Sequence, residues 1–371
     1  MRLHQYGAIA AAATVGVLGL AACGTNNNTS GTSGGGGSVK NTAANVSCAK
    51  GSVTAAGSTA QQNAMDSWVK AYQERCSGAT INYQGVGSGA GIEQFTQGTV
   101  DFAGSDSALK PSEHTQADKR CKTGKAVDLP MVTGPIAVVY NLAGVDGLRL
   151  TPTTLAKIFA GKITKWNDAQ IKVENPGVNL PSTAIQAFHR SDSSGTTDNF
   201  TKYLSAAAPG AWSFGHDKVW KTGNGQGAKG SDGVAAAVKS TPGAIAYDEL
   251  SYANLDGLQT AKVRNGSGKY VSLTPAAAAK AVDGAKVVGT GDDLTLQIDY
   301  NTKVSGAWPI VLVTYEIVCE HGSPHAGLIK SLLTYTSSAD GQRAIANPKL
   351  GYAPLPSGIA AKVRDVVSRI S

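Results

Sequence analysis

The sequence predicts an α/β protein, on three observations. Short apolar runs of strand length alternate with segments of helical periodicity from residue 53 onward. A Gly/Ser-rich turn recurs where a strand gives way to a helix, at 57–60, 85–91 and 190–196, and the short strand 100–103 leads into Gly-Ser-Asp at 104–106. The composition is globular: of 371 residues, 42% are hydrophobic, 16% are charged and 45 are glycine, which means many tight turns and not a disordered chain. The length suffices for two domains with sizeable cores.

Residues 1–22 read as a targeting segment. Arg2 supplies the positive start, and the apolar run 7–20 is too short for a comfortable membrane span. Leu20-Ala21-Ala22-Cys23 matches the bacterial lipobox, so Cys23 is the expected lipidation residue and first residue of the mature chain. That places the protein on the outer, extracytoplasmic face of the cell membrane, held by lipid. Residues 23–47 form a Gly/Ser/Asn/Thr tether without apolar periodicity. The G-x-S-x-G spelling at 31–35 has no strand before it and is read as coincidence.

The globular part opens with a strand at 53–55, a helix at 61–75, a strand at 80–83, a helix at 90–96 and a strand at 100–103. Such alternation implies a mostly parallel sheet, and ligands gather at the carboxyl ends of its strands. Thr59, Ser88 and Asp106 fall there. A strand follows at 136–141, a helix at 153–159 and a strand at 184–189. The helix at 196–204 carries Phe200, Tyr203 and Leu204 on one face. A Gly-rich loop at 223–233 leads to a helix at 234–239, and 244–247 is a strand. Thr274-Pro275 starts an Ala-rich helix, 310–318 is a strongly apolar strand, and helices close the chain at 327–336, 339–345 and 360–370.

The stretch 190–200 is the most informative. Free backbone N–H groups and the positive end of the helix dipole converge on its Ser/Gly turn. Ser194 and Thr196 add hydroxyl donors, and Arg190 adds a planar fork able to grip two oxyanion oxygens. Asp192, two residues on, locks that fork. The plain alternatives are structural. Ser194 or Thr196, Thr59 and Asp106 could be helix caps, Ser88 could serve a tight turn, and Arg190 could form a surface ion pair.

The net charge of +7, from 33 basic and 26 acidic residues, is scattered along the chain. It draws small anions modestly and lacks the concentrated stripe of a nucleic-acid binder. Five cysteines stand at 23, 48, 76, 121 and 319, none with metal spacing. With Cys23 lipidated, the other four suggest two disulfides in an exported protein, with three pairings open. Gly85-x-Gly87-x-x-Ala90 fits a dinucleotide turn, but Ser88 within it suits a bare anion and the lipobox opposes a cytoplasmic enzyme. Gly225-x-Gly227-x-x-Gly230 has no good strand before it. His321 and His325 are separated by Gly322 and Pro324, which precludes one regular helical face for a hydrolase metal site. The expectation is a protein that is not an enzyme, with no cofactor and no metal.

Arg-Ser-Asp-x-Ser-Gly-Thr-Thr at 190–197 resembles the second-lobe signature of the phosphate-binding lipoproteins that feed phosphate-specific ABC importers. Ala-Gly-Ser-Thr-Ala at 56–60, Gly-Val-Gly-Ser-Gly-Ala-Gly at 85–91 and Asp-Phe-Ala-Gly-Ser-Asp-Ser-Ala-Leu at 101–109 match the same family in order. The similarity runs from about Thr54 to the end and is strongest to the actinobacterial branch. It implies a two-lobed periplasmic-binding-protein-like fold (type II). Each lobe is then a mostly parallel sheet flanked by helices, joined by a two-segment hinge. Lobe 1 would comprise 48–133 plus 313–371, and lobe 2 would comprise 134–312. The chain crossings would fall near 132–135 and 308–313.

The resemblance also implies a dehydrated phosphate in the cleft. Thr59, the Ala60 N–H, Ser88 and Asp106 would come from the first lobe. Arg190, Ser194, the Gly195 N–H and Thr196 would come from the second, with Asp192 holding Arg190. Many relatives have Phe where this chain has Ala60, but the family contact there is the backbone N–H. Asp106 repels a fully ionised anion yet accepts the proton of mono- or dibasic phosphate, which disfavours sulfate. The implied partners are inorganic phosphate and the membrane permease subunits of an ABC importer, with a monomeric chain and no nucleic acid. Another oxyanion such as molybdate or arsenate is the alternative ligand.

Overall fold

The computed structural model describes residues 46–371. The expected signal peptide 1–22, Cys23 and the tether up to residue 45 lie outside the described residues. Among the described residues, no helix is long and apolar enough to cross a membrane.

One nine-stranded sheet carries the architecture. Its order is Ala79–Gly85, Gly51–Gly57, Phe102–Ser105, Val311–Cys319, Ala126–Tyr140, Ala244–Glu249, Gln186–Arg190 and Gln226–Ala228, with Gln259–Thr260 also pairing to Ala126–Tyr140. Gly51–Gly57 is parallel to both its neighbours, and Gln186–Arg190 is parallel to both of its own. The two strands in the middle, Val311–Cys319 and Ala126–Tyr140, run antiparallel to each other and to their flanking strands. The sheet is therefore more mixed than the alternating pattern suggests. The reason is topological: the chain leaves the first half through one middle strand and returns through the other.

Ala126–Tyr140 is buried along all 15 residues, although the sequence gives a strand only from 136. It pairs with Val311–Cys319 up to Pro135 and with Ala244–Glu249 from Ile136. The register slips between Thr314 and Tyr315, which face Val132 and Pro130. A bulge is where a sheet tolerates the missing N–H of proline.

Most helices lie where periodicity puts them, with ends shifted by a few residues. Gln62–Arg75 buries Ala64, Met65, Trp68 and Tyr72. Gly195–Ala207 buries Phe200, Tyr203 and Leu204, as its sequence predicts. Pro111–Arg120 and Leu250–Asp256 are additional helices. Pro111–Arg120 escapes periodicity because Ala117 is its one buried residue. The four cysteines form two disulfides, Cys48–Cys76 and Cys121–Cys319. The first fastens the start of the described chain to the end of helix Gln62–Arg75. The second ties the end of helix Pro111–Arg120 to the middle of the sheet.

An aromatic cluster supports the 190–200 region from below. Phe200 stacks on Tyr247 with ring centroids 4.4 Å apart, and Phe159 meets Phe200 edge-on at 4.9 Å. Removing such a buried ring costs about 3–5 kcal/mol, so this cluster fixes the helix that follows Arg190. Its polar end also contributes: the Tyr247 hydroxyl accepts the Arg190 N–H at 3.2 Å and lies 2.7 Å from Thr197 Oγ1.

Candidate functional site

Four helix N-termini converge near the ends of strands Gly51–Gly57, Phe102–Ser105 and Gln186–Arg190. They belong to Gln62–Arg75, Ser88–Thr96, Gly195–Ala207 and Gly230–Ser240. Each presents N–H groups that have no partner within their own helix and a partial positive charge. Three of them carry the sequence motifs. The fourth starts inside the Gly-rich loop, four residues earlier than its apolar pattern indicates. Gly230 makes that early start possible, with φ of 72°.

The expected residues gather in two adjoining groups. In the first, Thr59 Oγ1 lies 3.0 Å from Ser231 Oγ and accepts the Ser231 N–H at 3.2 Å. Arg190 Nη1 donates to the same Ser231 Oγ at 3.4 Å. Arg190 is 2% exposed and is gripped by Asp192, with Nε on Oδ1 at 2.8 Å and Nη2 paired to Oδ2. Asp192 Oδ1 also accepts the Gly230 N–H at 3.1 Å. Burial works against both charges, but their hydrogen-bonded pairing outweighs it. Arg190 is held above its ordinary pKa and Asp192 below its own.

In the second group, Ser88 Oγ accepts the N–H of Asp106 and the N–H of Gly195, both at 3.2 Å. Asp106 is 3% exposed. Its Oδ1 accepts from Thr314 Oγ1 at 2.8 Å and its Oδ2 from Thr196 Oγ1 at 3.3 Å. Burial pushes the Asp106 carboxyl above the usual range, against hydrogen bonds from Ser58, Thr314 and Thr196 and the charge of Arg190. Asn199 Nδ2 donates to the Asp106 carbonyl at 2.7 Å. Gly89 N–H donates to the Ser193 carbonyl at 2.9 Å, a main-chain bond between the turn at 85–91 and the turn at 190–196.

Two expected residues have backbone or local roles here. Ser194 is the N-cap, its Oγ accepting the Thr197 N–H at 3.3 Å. The Ala60 N–H donates to Ser58 Oγ at 3.1 Å, and the Ala60 carbonyl accepts from Tyr352 OH at 2.6 Å. The structural alternatives for Thr59 and Asp106 do not hold. The Gln62–Arg75 helix has no side-chain cap, and the helix after Asp106 is capped at Lys110. Arg190 is far from a surface pair.

The sequence reading missed Ser231, Thr314, Ser58 and Asp248. Ser231 links Arg190 to Thr59, and its only signal was a serine directly after a glycine at a helix start. Asp248 lies in the buried strand beneath Arg190, and burial pushes its carboxyl well up despite the guanidinium. Beside the first group is a cavity of 320 Å³ lined by Thr59, Gly85, Val86, Asp192, Lys229, Gly230 and Asp232. Backbone donors, hydroxyls, the locked Arg190 guanidinium and the buried Asp106 carboxylate are together a donor set for a compact oxyanion that retains a proton.

This fold and site define an extracytoplasmic-type solute-binding architecture, and the chain matches the PBP superfamily domain over residues 42–340. Phosphate-binding protein PstS 3 of Mycobacterium tuberculosis is 42% identical over 377 residues, covering 100% of both chains. Its counterpart in Mycobacterium leprae is 40% identical over 378 residues, again covering 100% of both. The chain belongs to the PstS family of phosphate-binding proteins. A phosphate binding protein structure from Stenotrophomonas maltophilia shares the fold, with a TM-score of 0.68 at 21% identity, over 85% of this chain and 93% of that one.

Proposed function

We propose that the chain captures inorganic phosphate between two lobes and delivers it to an ABC-type phosphate importer. The observation that carries this reading is Asp106, a buried carboxylate set among anion donors. A tetrahedral oxyanion is stabilised by N–H and hydroxyl donors and by Arg190, while Asp106 requires a ligand hydroxyl facing it. Mono- or dibasic phosphate meets both demands and sulfate meets only the first.

The ligand set is Thr59, Ala60, Ser88, Asp106, Arg190, Ser194, Gly195 and Thr196, with Asp192 positioning Arg190. Ser231 joins it through Thr59 and Arg190. Several of these donors hydrogen-bond one another across the site, so ligand oxygens would replace contacts already aligned. Residues 48–133 with 313–371, and 134–312, are the two lobes. The change of strand partner between Pro135 and Ile136 supports a hinge there. Closure is stabilised by contacts that only the bound form completes. The protein acts as a carrier and not as an enzyme. Cys23 holds it by lipid on the outer face of the cell membrane, where it meets the permease subunits.

Calorimetric titration of the full-length protein, freed of ligand by unfolding and refolding, tests this. Phosphate is expected to bind one-to-one with no heat from sulfate, and Asp106→Asn is expected to narrow that discrimination. A folded, ligand-free protein that ignores phosphate would overturn the reading, and binding of molybdate instead would redirect it.

A further inference from the structure

Away from the ligand groups, the segment 209–221 of the second half reaches the helix Pro111–Arg120 of the first. Lys218 is at the contact. Its side chain is 5% exposed, and Nζ lies 2.7 Å from Glu113 Oε1. The other Glu113 oxygen, Oε2, accepts the Lys110 N–H at 2.8 Å and so closes the first turn of its own helix. Nearby, Lys110 Nζ reaches Asp217 Oδ1 at 3.2 Å, and Ser107 Oγ donates to Asp198 Oδ2 at 2.7 Å. Asp198 is further paired with Lys202 and His216.

These bridges are not equivalent. The Lys110 side chain is 49% exposed, and an exposed pair contributes little. Lys218 is enclosed, and its ammonium depends on Glu113. Its main chain also has a second contact: the Lys218 carbonyl accepts the Ser194 N–H at 2.8 Å. Ser194 is the N-cap of the helix whose first residues, Gly195 and Thr196, meet Ser88 and Asp106. One residue therefore grips the opposite half with its side chain and the binding turn with its backbone.

We propose that Lys218 is a positioning residue for the phosphate site, a latch that couples the Glu113 contact between the halves to the placement of Ser194 and Gly195. The proposal rests on the phosphate reading above and adds to it what governs release. Opening the lobes separates Lys218 from Glu113, which loosens the segment holding the Ser194 N–H, so the donors at 194–196 lose their alignment as the cleft opens. Releasing the pair exposes both charges to water, whereas truncating one partner leaves the other enclosed and unpaired. Such truncation acts on dissociation more than on association.

The test uses full-length protein carrying Lys218→Met, Glu113→Gln, both together, or Lys218→Arg. Stopped-flow phosphate release is expected to quicken about tenfold or more in each neutralising single variant. The double variant should be no faster than the worse single one, and Lys218→Arg should stay near wild type. Hydrogen exchange at the Ser194 amide, followed without phosphate, should accelerate in both single variants. Glu113→Gln, at the more exposed partner, covers the case in which Lys218→Met fails to fold. Unchanged release and unchanged Ser194 exchange in a folded Glu113→Gln variant would overturn the latch, as would additive effects in the double variant. Wild-type protein that binds no phosphate would sink the phosphate reading instead, and Ser194 exchange would still decide whether the two contacts are coupled.

Discussion

Arg190 and Asp192, two residues apart, form a two-point pair in which guanidinium Nε meets carboxylate Oδ1 at 2.8 Å while Nη2 holds Oδ2. The geometry leaves Nη1 as the fork's remaining arm, directed at Ser231 Oγ. A free arginine side chain samples many rotamers, and this pair removes that freedom before any ligand arrives.

Asp192→Asn therefore should weaken phosphate binding by about tenfold to a hundredfold, since one charge-assisted bond is lost and the fork is freed. Calorimetry on the full-length variant measures this directly. Thermal unfolding should also fall, because Arg190 stays buried with its charge poorly matched. An unchanged affinity would mean that Arg190 is placed by Ser231 and Asp248 and not by Asp192.

Glu316 should make stability depend on pH in an unusual direction. It is fully buried opposite Gly104, beside Gln61 and Asp106. Burial pushes its pKa up to about 8, with the nearby Asp106 charge adding to the rise and Gln61 opposing it. Between its ordinary value and 8 the folded protein holds this proton more tightly than the unfolded chain. Its contribution to stability is thus full below that window and falls as pH rises through it. Glu316→Gln should match wild type in stability near pH 4.5 and exceed it progressively towards pH 8, by about 3 kcal/mol at pH 7. Melting curves across that range check the sign, and a constant offset would contradict it.

The two disulfides should differ in worth. Cys48–Cys76 spans 28 residues and Cys121–Cys319 spans 198. On the loop-entropy account, the longer closure restrains the unfolded chain more, by roughly 2 kcal/mol. Replacing Cys121 and Cys319 by alanine should accordingly lower denaturant stability more than replacing Cys48 and Cys76. Equal losses would point to native-state packing at Cys48 and Cys76 as a compensating effect.

Much of this was legible in the sequence, for local reasons. A strand, a Ser/Gly turn and a helix start leave a strong trace, so the turns at 57–60, 85–91 and 190–196 could be read without coordinates. The first part of Ala126–Tyr140 could not. Pro130, Gly134 and Pro135 break its pattern, and the strand continues past Pro130 through a bulge of its own at Met131. Ser231 and Thr314 were hidden for a different reason. Each is a common hydroxyl residue whose importance comes from a partner more than a hundred positions away. The disulfide pairing was open for the same reason, since spacing carries no information on which strands lie side by side.

Gly195 offers the sharpest separation of binding from folding. A side-chain carbon added there would lie 2.6 Å from Asp106 Cβ and 2.7 Å from Ser88 Oγ, contacts too short to keep. Its backbone is ordinary first-turn helix, and alanine is the better helix former. Gly195→Ala should then cost its own helix nothing by itself while holding that helix away from Asp106 and Ser88. Relief of that clash is worth about 1–3 kcal/mol, which is a loss of roughly 5- to 150-fold in phosphate affinity. Without phosphate the melting temperature should not fall in proportion, and the rise produced by saturating phosphate should shrink. Wild-type affinity in this variant would mean that Gly195 and Asp106 do not approach each other in the bound form, and the closure geometry argued from Ser88 would have to be abandoned.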